Sequence, residues 1–202
     1  MILVDSALRA READGRPIRV GLIGAGFMAQ GLANTIANSV PGMSVVAIYG
    51  RRPERAAAIV SYSGLDGTFV SSAGEMSAAV AAGSVGVTDD PYLLTRADEV
   101  DVLVELTGSV EFGAHICLDA FAHGKSVVLM NAELDATIGP LMHVRAREHG
   151  VIMSATDGDE PGLQMNLVRW VQGLGLTPRV VGNVKGLQDP YRNPTTQAGF
   201  AE

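Results

Sequence analysis

The stretch that decides the fold is residues 18–31, IRVGLIGAGFMAQG. Its first half, IRVGLIG, is an almost unbroken apolar run with branched side chains, the pattern of a strand buried on both faces, and a helix is expected at about 28–39. Between the two, Gly24, Gly26 and Ala29 stand in the order G-x-G-x-x-A. Gly24 permits a sharp turn, Gly26 lets backbone N–H groups approach a pyrophosphate, and Ala29 lets helix and strand pack closely. The helix N-terminus favours an anion, so Gly24, Gly26, Phe27, Met28 and Ala29 make the expected phosphate turn of a dinucleotide site.

Outward from this turn, strand and helix alternate. MSVVAIYG at 43–50 reads as a second buried strand, and Pro53 opens a helix running to Val60. Residues 61–86 are rich in Ser, Gly and Ala and read as an insertion at the sheet edge, with a short helix around 75–82 and a short strand at 85–87. A helical turn at 91–97 precedes VDVLVELTG at 100–108, the strongest later strand. Val110, Ala114, Cys117, Leu118 and Phe121 then form an apolar helical stripe ending at Gly124, which places Cys117 in the core. SVVLMN at 126–131 and VIMSAT at 151–156 read as strands flanking a helix at 138–149 with Leu141 and Met142 inward.

This order calls for an α/β fold, a Rossmann doubly wound and mainly parallel sheet with helices on both faces. Residues 1–17 are expected to be a helical extension, 18–156 the nucleotide-binding domain, and 157–202 the truncated start of a second, α+β catalytic region. That last part has a helix carrying Leu163, Leu167, Trp170, Val171 and Leu174, and a strand-like segment at 179–186.

Bulk properties narrow the function. A formal charge of −7, with no Lys/Arg cluster longer than a pair, argues against a nucleic-acid surface. The single cysteine forbids an internal disulfide and makes a reducing, cytoplasmic setting the expectation. Neither a secretory signal nor a membrane span is expected. His115, His123, His143 and His149 have no ligand-like spacing and read as helix-surface or helix-end residues.

After the second strand, where a carboxylate would bind a ribose 2′-hydroxyl, the sequence has Tyr49, Gly50, Arg51 and Arg52. Arginine there suits a 2′-phosphate, so NADP(H) is expected over NAD(H). Ligands of open α/β sheets lie beyond the carboxyl ends of the strands. Three of those ends carry Glu105 to Gly108, Asn131 to Glu133, and Asp157 to Glu160. Thr107, Gly108 and Asn131 are therefore expected beside the nicotinamide, while Asp157, Asp159, Glu160 and Glu133 have the hard oxygens that a divalent metal ion prefers. The simpler reading of those acids is helix capping, since Pro161 marks a helix start directly after them.

These residues also carry a family resemblance over nearly the whole chain. VGLIGAGFMAQG, VDVLVELTG and the Asn131 loop resemble the cofactor domain of homoserine dehydrogenases. MNAELDATIGP, DGDEPGLQMNLVRWV and GNVKGLQDPYRNPTTQ resemble the homoserine-dehydrogenase-like oxidoreductases that include deoxyxylulose-phosphate-reductoisomerase-like enzymes of isoprenoid biosynthesis. The resemblance implies NADPH-dependent chemistry in a homodimer, with a further C-terminal domain of the SAF type that is missing here. One departure concerns the substrate: homoserine dehydrogenases have lysine directly after the matching asparagine, whereas this chain has Ala132 and Glu133. Lys185 falls in a loop resembling that family's substrate loop.

The resulting expectation is an oxidoreductase that moves hydride from NADPH to a carbonyl of a small phosphorylated or carboxylated substrate. Glu133, Asp159 and Lys185 are the candidates for acid–base or electrostatic roles, and Asp157, Asp189 and Arg192 for substrate contacts. Reductoisomerase-like activity on deoxyxylulose phosphate leads, with homoserine dehydrogenase activity as the alternative. A non-catalytic nucleotide-sensing module is the rival from another class.

Overall fold

The computed structural model describes residues 5–156 and 162–182, together with Tyr191, Asn193, Thr195 and Thr196. Two compact units divide at Thr156 and Asp157. In the first, seven parallel strands lie in the order β3-β4-β2-β1-β5-β6-β7. They are β1 (Ile18–Ile23), β2 (Met43–Tyr49), β3 (Gly67–Phe69), β4 (Val85–Thr88), β5 (Val102–Glu105), β6 (Ser126–Leu129) and β7 (Met153–Ala155). The helices are α1 (Asp5–Ala13), α2 (Phe27–Ser39), α3 (Pro53–Tyr62), α4 (Ala73–Ala81), α5 (Pro91–Arg96), α6 (Val110–Ala122) and α7 (Ala132–Glu148). This is the Rossmann-type α/β arrangement expected from the alternating pattern.

Two cores follow from the two-residue period of the strands. Val20, Leu22 and Ile48 pack with Ala29, Ala33 and Ile36 of α2 and Ala56 and Ile59 of α3. Ile23, Ala47 and Leu103 belong to the opposite cluster, with Met76 of α4, Leu94 of α5, Phe121 of α6 and Met142 of α7. Gly21, on the second face, leaves room that Leu103 fills: a Cβ there would lie 2.8 Å from Leu103 Cδ2. The central strands are therefore apolar on both sides, which is why they read as continuous runs.

Several boundaries and orientations differ from the sequence expectations. Residues 61–86 are part of the sheet rather than an insertion, since β3 pairs in parallel with β4. Its residues are all exposed, so an edge strand of three left no apolar signal. The strand expected over 100–108 pairs only as Val102–Glu105, and the remainder is loop. Along α6 the buried residues are Gly113, Ile116, Cys117, Ala120 and Phe121, whereas Leu118 is exposed; Cys117 is in the core as expected.

Helix α7 begins at Ala132, six residues before the expected start, because Asn131 caps it: Oδ1 accepts from Leu134 N at 3.0 Å. Pro140 lies inside this helix, where it has no N–H to offer the carbonyl of Ala136, and eight further residues of the helix follow it before His149. Met142 is buried, but Leu141 faces outward.

In the second unit α8 (Gly162–Gly173) forms the expected helix. Residues 179–182 are not a strand, having no pairing partner among the described residues, and 183–186 lie outside those residues.

Candidate functional site

The site grows from the switch point between β1 and β5, where β1 connects onward to β2 on one side and β5, reached from β4, opens the other half of the sheet. The parallel ladders continue one step past the strands: Gly24 N donates to Tyr49 O at 3.0 Å and Leu106 N to Ile23 O at 2.9 Å. These bonds bring the loops after β1, β2 and β5 to one rim. They enclose a cleft of about 560 Å³ lined by Gly24, Gly26, Arg51, Arg52, Thr107 and, unforeseen in the sequence, Arg55.

Each residue of the glycine turn has a separate reason. Gly24 has φ +126°, which favours glycine, and a Cβ there would lie a tight 3.3 Å from the backbone of Leu106. Gly26 has φ −98°, open to any residue, and an added Cβ would meet no protein atom within 4 Å. Nothing in the protein requires glycine at 26. Ala29 is fully buried between α2 and the sheet. Phe27 and Met28 are exposed at the first turn of α2.

Arg51, Arg52 and Arg55 crowd one side of the cleft, all exposed. Arg52 is the N-cap position of α3, with Pro53 following at the first turn, and its side chain makes no capping bond. Also lining the cleft, Tyr49 stacks on Phe112 with ring centroids 5.7 Å apart. Burial pushes the Tyr49 phenol above its usual range, partly offset by the Arg51 charge, so it stays neutral.

The β5 end is tightly organised. Glu105 is fully buried. Its Oε1 accepts from Thr107 N at 2.9 Å and also from the Thr107 hydroxyl. Gly108 follows with φ +69°. Asn131 is fully buried as well; besides capping α7, its Nδ2 donates to Ser109 O at 3.2 Å. The Asn131 side chain thus reaches the β5 loop, and its amide is engaged at both ends. Glu133 is exposed in the first turn of α7.

Asp157, Asp159, Lys185, Asp189 and Arg192 lie outside the described residues, as does Glu160. No cluster of three or more His, Cys, Asp or Glu suited to a metal ion occurs among the described residues. His123 and His149 are the C-cap residues of α6 and α7, each with Nδ1 against the carbonyl four residues back. Burial, reinforced by the Glu105 charge, pushes the Cys117 thiol up to about 12, so it is no nucleophile.

No helix among the described residues is long and apolar enough to cross a membrane.

Comparisons with known proteins agree with this geometry. The homoserine dehydrogenase of Pseudomonas aeruginosa is 27% identical over 177 residues, a match covering 79% of this chain and 36% of that protein. That of Methylobacillus glycogenes is 26% identical over 169 residues, covering 79% and 38%. The chain thus spans little more than a third of the length of these curated relatives. Among solved structures, a homoserine dehydrogenase from Thiobacillus denitrificans matches with 25% identity and a TM-score of 0.52, over 69% of this chain and 29% of that one. The myo-inositol dehydrogenase of Lactobacillus casei, in complex with NAD(H) and myo-inositol, shares the fold at 16% identity and a TM-score of 0.59, over 79% and 42%.

Residues 158–202 match the family described as "Oxidoreductase DRL, catalytic domain". Residues 21–154 match "Homoserine dehydrogenase, NAD binding domain". That match takes in the whole glycine turn and both flanking rims, and spans well over half of the 202 residues. The chain therefore belongs to the homoserine dehydrogenase NAD-binding domain family, and its first unit is an NAD(P)-binding domain.

Proposed function

We propose that this chain supplies the cofactor-binding part of an oxidoreductase that exchanges hydride between NADP(H) and the carbonyl or alcohol carbon of a small carboxylated or phosphorylated metabolite. One observation carries the cofactor assignment: Arg51, Arg52 and Arg55 line the same cleft as Gly24 and Gly26, at the place where an acid would otherwise meet the ribose. Guanidinium groups pair with a 2′-phosphate in two-point fashion, and the anionic pyrophosphate sits against the N-terminus of α2. The residues present fit the cofactor, since the Gly26 backbone has open space where a side chain would block it.

Homoserine dehydrogenase activity is the substrate reading that the relatives favour. A second reading, reductoisomerase-like activity on deoxyxylulose phosphate, is supported by two observations. Ala132 and Glu133 stand where homoserine dehydrogenases carry lysine, and the family matched by residues 158–202 is a different one. Thr107, Gly108 and Asn131 border the nicotinamide in either reading. Glu133, Asp159 and Lys185 serve as acid–base or electrostatic groups, with Asp157, Asp189 and Arg192 toward the substrate. The working unit is a homodimer.

Direct titration with NADPH and NADH tests the cofactor choice, and equal affinities defeat it. The substrate readings separate in one assay pair on the full-length protein: homoserine-dependent reduction of NADP⁺ against deoxyxylulose-phosphate-dependent oxidation of NADPH. A module that only senses nucleotide binds cofactor and turns over neither.

A further inference from the structure

We propose that Glu105 is a positioning residue that fixes the nicotinamide half of the site, acting as the hydrogen-bond acceptor that holds the loop of residues 106–109. The inference rests on the cofactor reading above and goes beyond it to a residue that never touches the cofactor.

Glu105 is the last residue of β5 and is fully buried, an expensive place for a carboxyl group. A group kept there against that cost has a task. Oε1 takes both donors of Thr107, its backbone N–H at 2.9 Å and its hydroxyl. The hydroxyl oxygen in turn accepts from Ser109 N at 3.3 Å. From the other side Asn131 Nδ2 donates to Ser109 O at 3.2 Å. The loop is therefore held at Thr107 by β5 and at Ser109 by the cap of α7.

The second carboxylate oxygen, Oε2, is buried with no hydrogen-bond partner among the described residues. It lies against α6 where Gly113 leaves space: a Cβ at 113 would come within 3.1 Å of both Glu105 Oε2 and Asn131 Nδ2. So α6 approaches closely because residue 113 is glycine, and a buried carboxyl group and a buried amide share the room.

The consequence for binding is selective. With both donors of Thr107 turned inward, the loop meets a ligand through its remaining groups, among them Leu106 and Ser109, which line the cleft with Phe112. The adenosine side of the cleft depends on other elements, Gly26 and the three arginines. Loss of Glu105 should therefore loosen one half of a dinucleotide and leave the other alone.

The test compares two ligands on the same protein: NADPH, and the 2′-phosphate of ADP-ribose, which is the cofactor without its nicotinamide. In Glu105→Leu, which keeps the apolar shape but accepts no hydrogen bond, NADPH binding should weaken about tenfold while the phosphorylated ADP-ribose changes by less than about twofold. Glu105→Gln, whose carbonyl oxygen can take both Thr107 donors, should bind both ligands as the parent does. If Glu105→Leu does not fold, Glu105→Met takes its place, with the same selective loss of NADPH expected and Glu105→Gln again as the comparison. Equal losses for the two ligands, no loss at all, or a glutamine variant as weak as the leucine one overturns the proposal. A parent protein that binds neither ligand overturns the cofactor reading with it.

Discussion

The amide of Gly24 donates to the carbonyl of Tyr49 at 3.0 Å, so the ladder between β1 and β2 runs one residue into the glycine turn before the chain swings away. The swing needs φ +126° at Gly24, directly over the backbone of Leu106. Gly24→Ala should therefore destabilise the first unit by about 1–3 kcal/mol, seen as a lower midpoint in denaturant unfolding. A variant as stable as the parent contradicts this account of the turn.

Gly26 should behave in the opposite way. Its φ of −98° suits alanine, and the added Cβ meets open space. Gly26→Ala is expected to change stability by no more than about 0.5 kcal/mol and to weaken cofactor binding at least about tenfold. Calorimetric titration beside a melting curve separates the two effects.

Arg51→Ala and Arg52→Ala should each weaken NADPH about tenfold or more while leaving NADH within about threefold, because only the phosphorylated ribose loses a charged partner. The loss should shrink as salt is raised. Parallel losses for both cofactors would place these arginines elsewhere on the ligand.

At the far end of the sheet Arg19 joins β1 to the start of β5, with Nη2 2.7 Å from Asp101 Oδ1 and its backbone N–H on Oδ2 at 2.8 Å. Burial raises the Asp101 pKa, but the hydrogen bonds and charge of Arg19 outweigh it and leave the carboxyl below its usual range. A depressed folded pKa contributes stability above the unfolded value, and that contribution disappears as pH falls through the folded one. The pair is more than a third exposed, so Asp101→Asn should cost only about 0.5–1 kcal/mol near neutral pH. The difference from the parent should vanish in acid, as followed by unfolding at a series of pH values.

Cys117 should resist thiol reagents in the folded protein. With its thiol pushed up to about 12, only ~10⁻⁴ of it is thiolate at pH 8, and the side chain is fully buried. Rapid labelling without denaturant contradicts that burial.

The sequence made the centre of the fold plain and its periphery obscure for physical reasons. β1 and β2 are largely buried on both faces and read as apolar runs; β3 is exposed throughout and paired only at the edge, so its three residues show nothing. Leu118 and Leu141 are apolar yet outward, because helix orientation depends on which neighbours arrive. The start of α7 was not legible from the apolar pattern, because it is set by the cap at Asn131, a tertiary as well as a local feature. At the site, the glycine turn and Arg51 were legible from spacing. Arg55 was not, since only the turn of α3 brings it to the cleft. The clamp of Glu105 on Thr107 could not be read either, for it depends on burial that spacing does not report.

The side chains of Arg51, Arg52 and Arg55 share one further property: none makes a side-chain hydrogen bond or ion pair among the described residues, and all three stand in solvent. If these arginines choose between two coenzymes, as proposed, the groups that do so are separate from those that hold the sheet together. On that reading coenzyme preference can drift by surface substitution alone, at almost no cost in folding, so two descendants of one such chain can differ in redox partner while keeping the same skeleton.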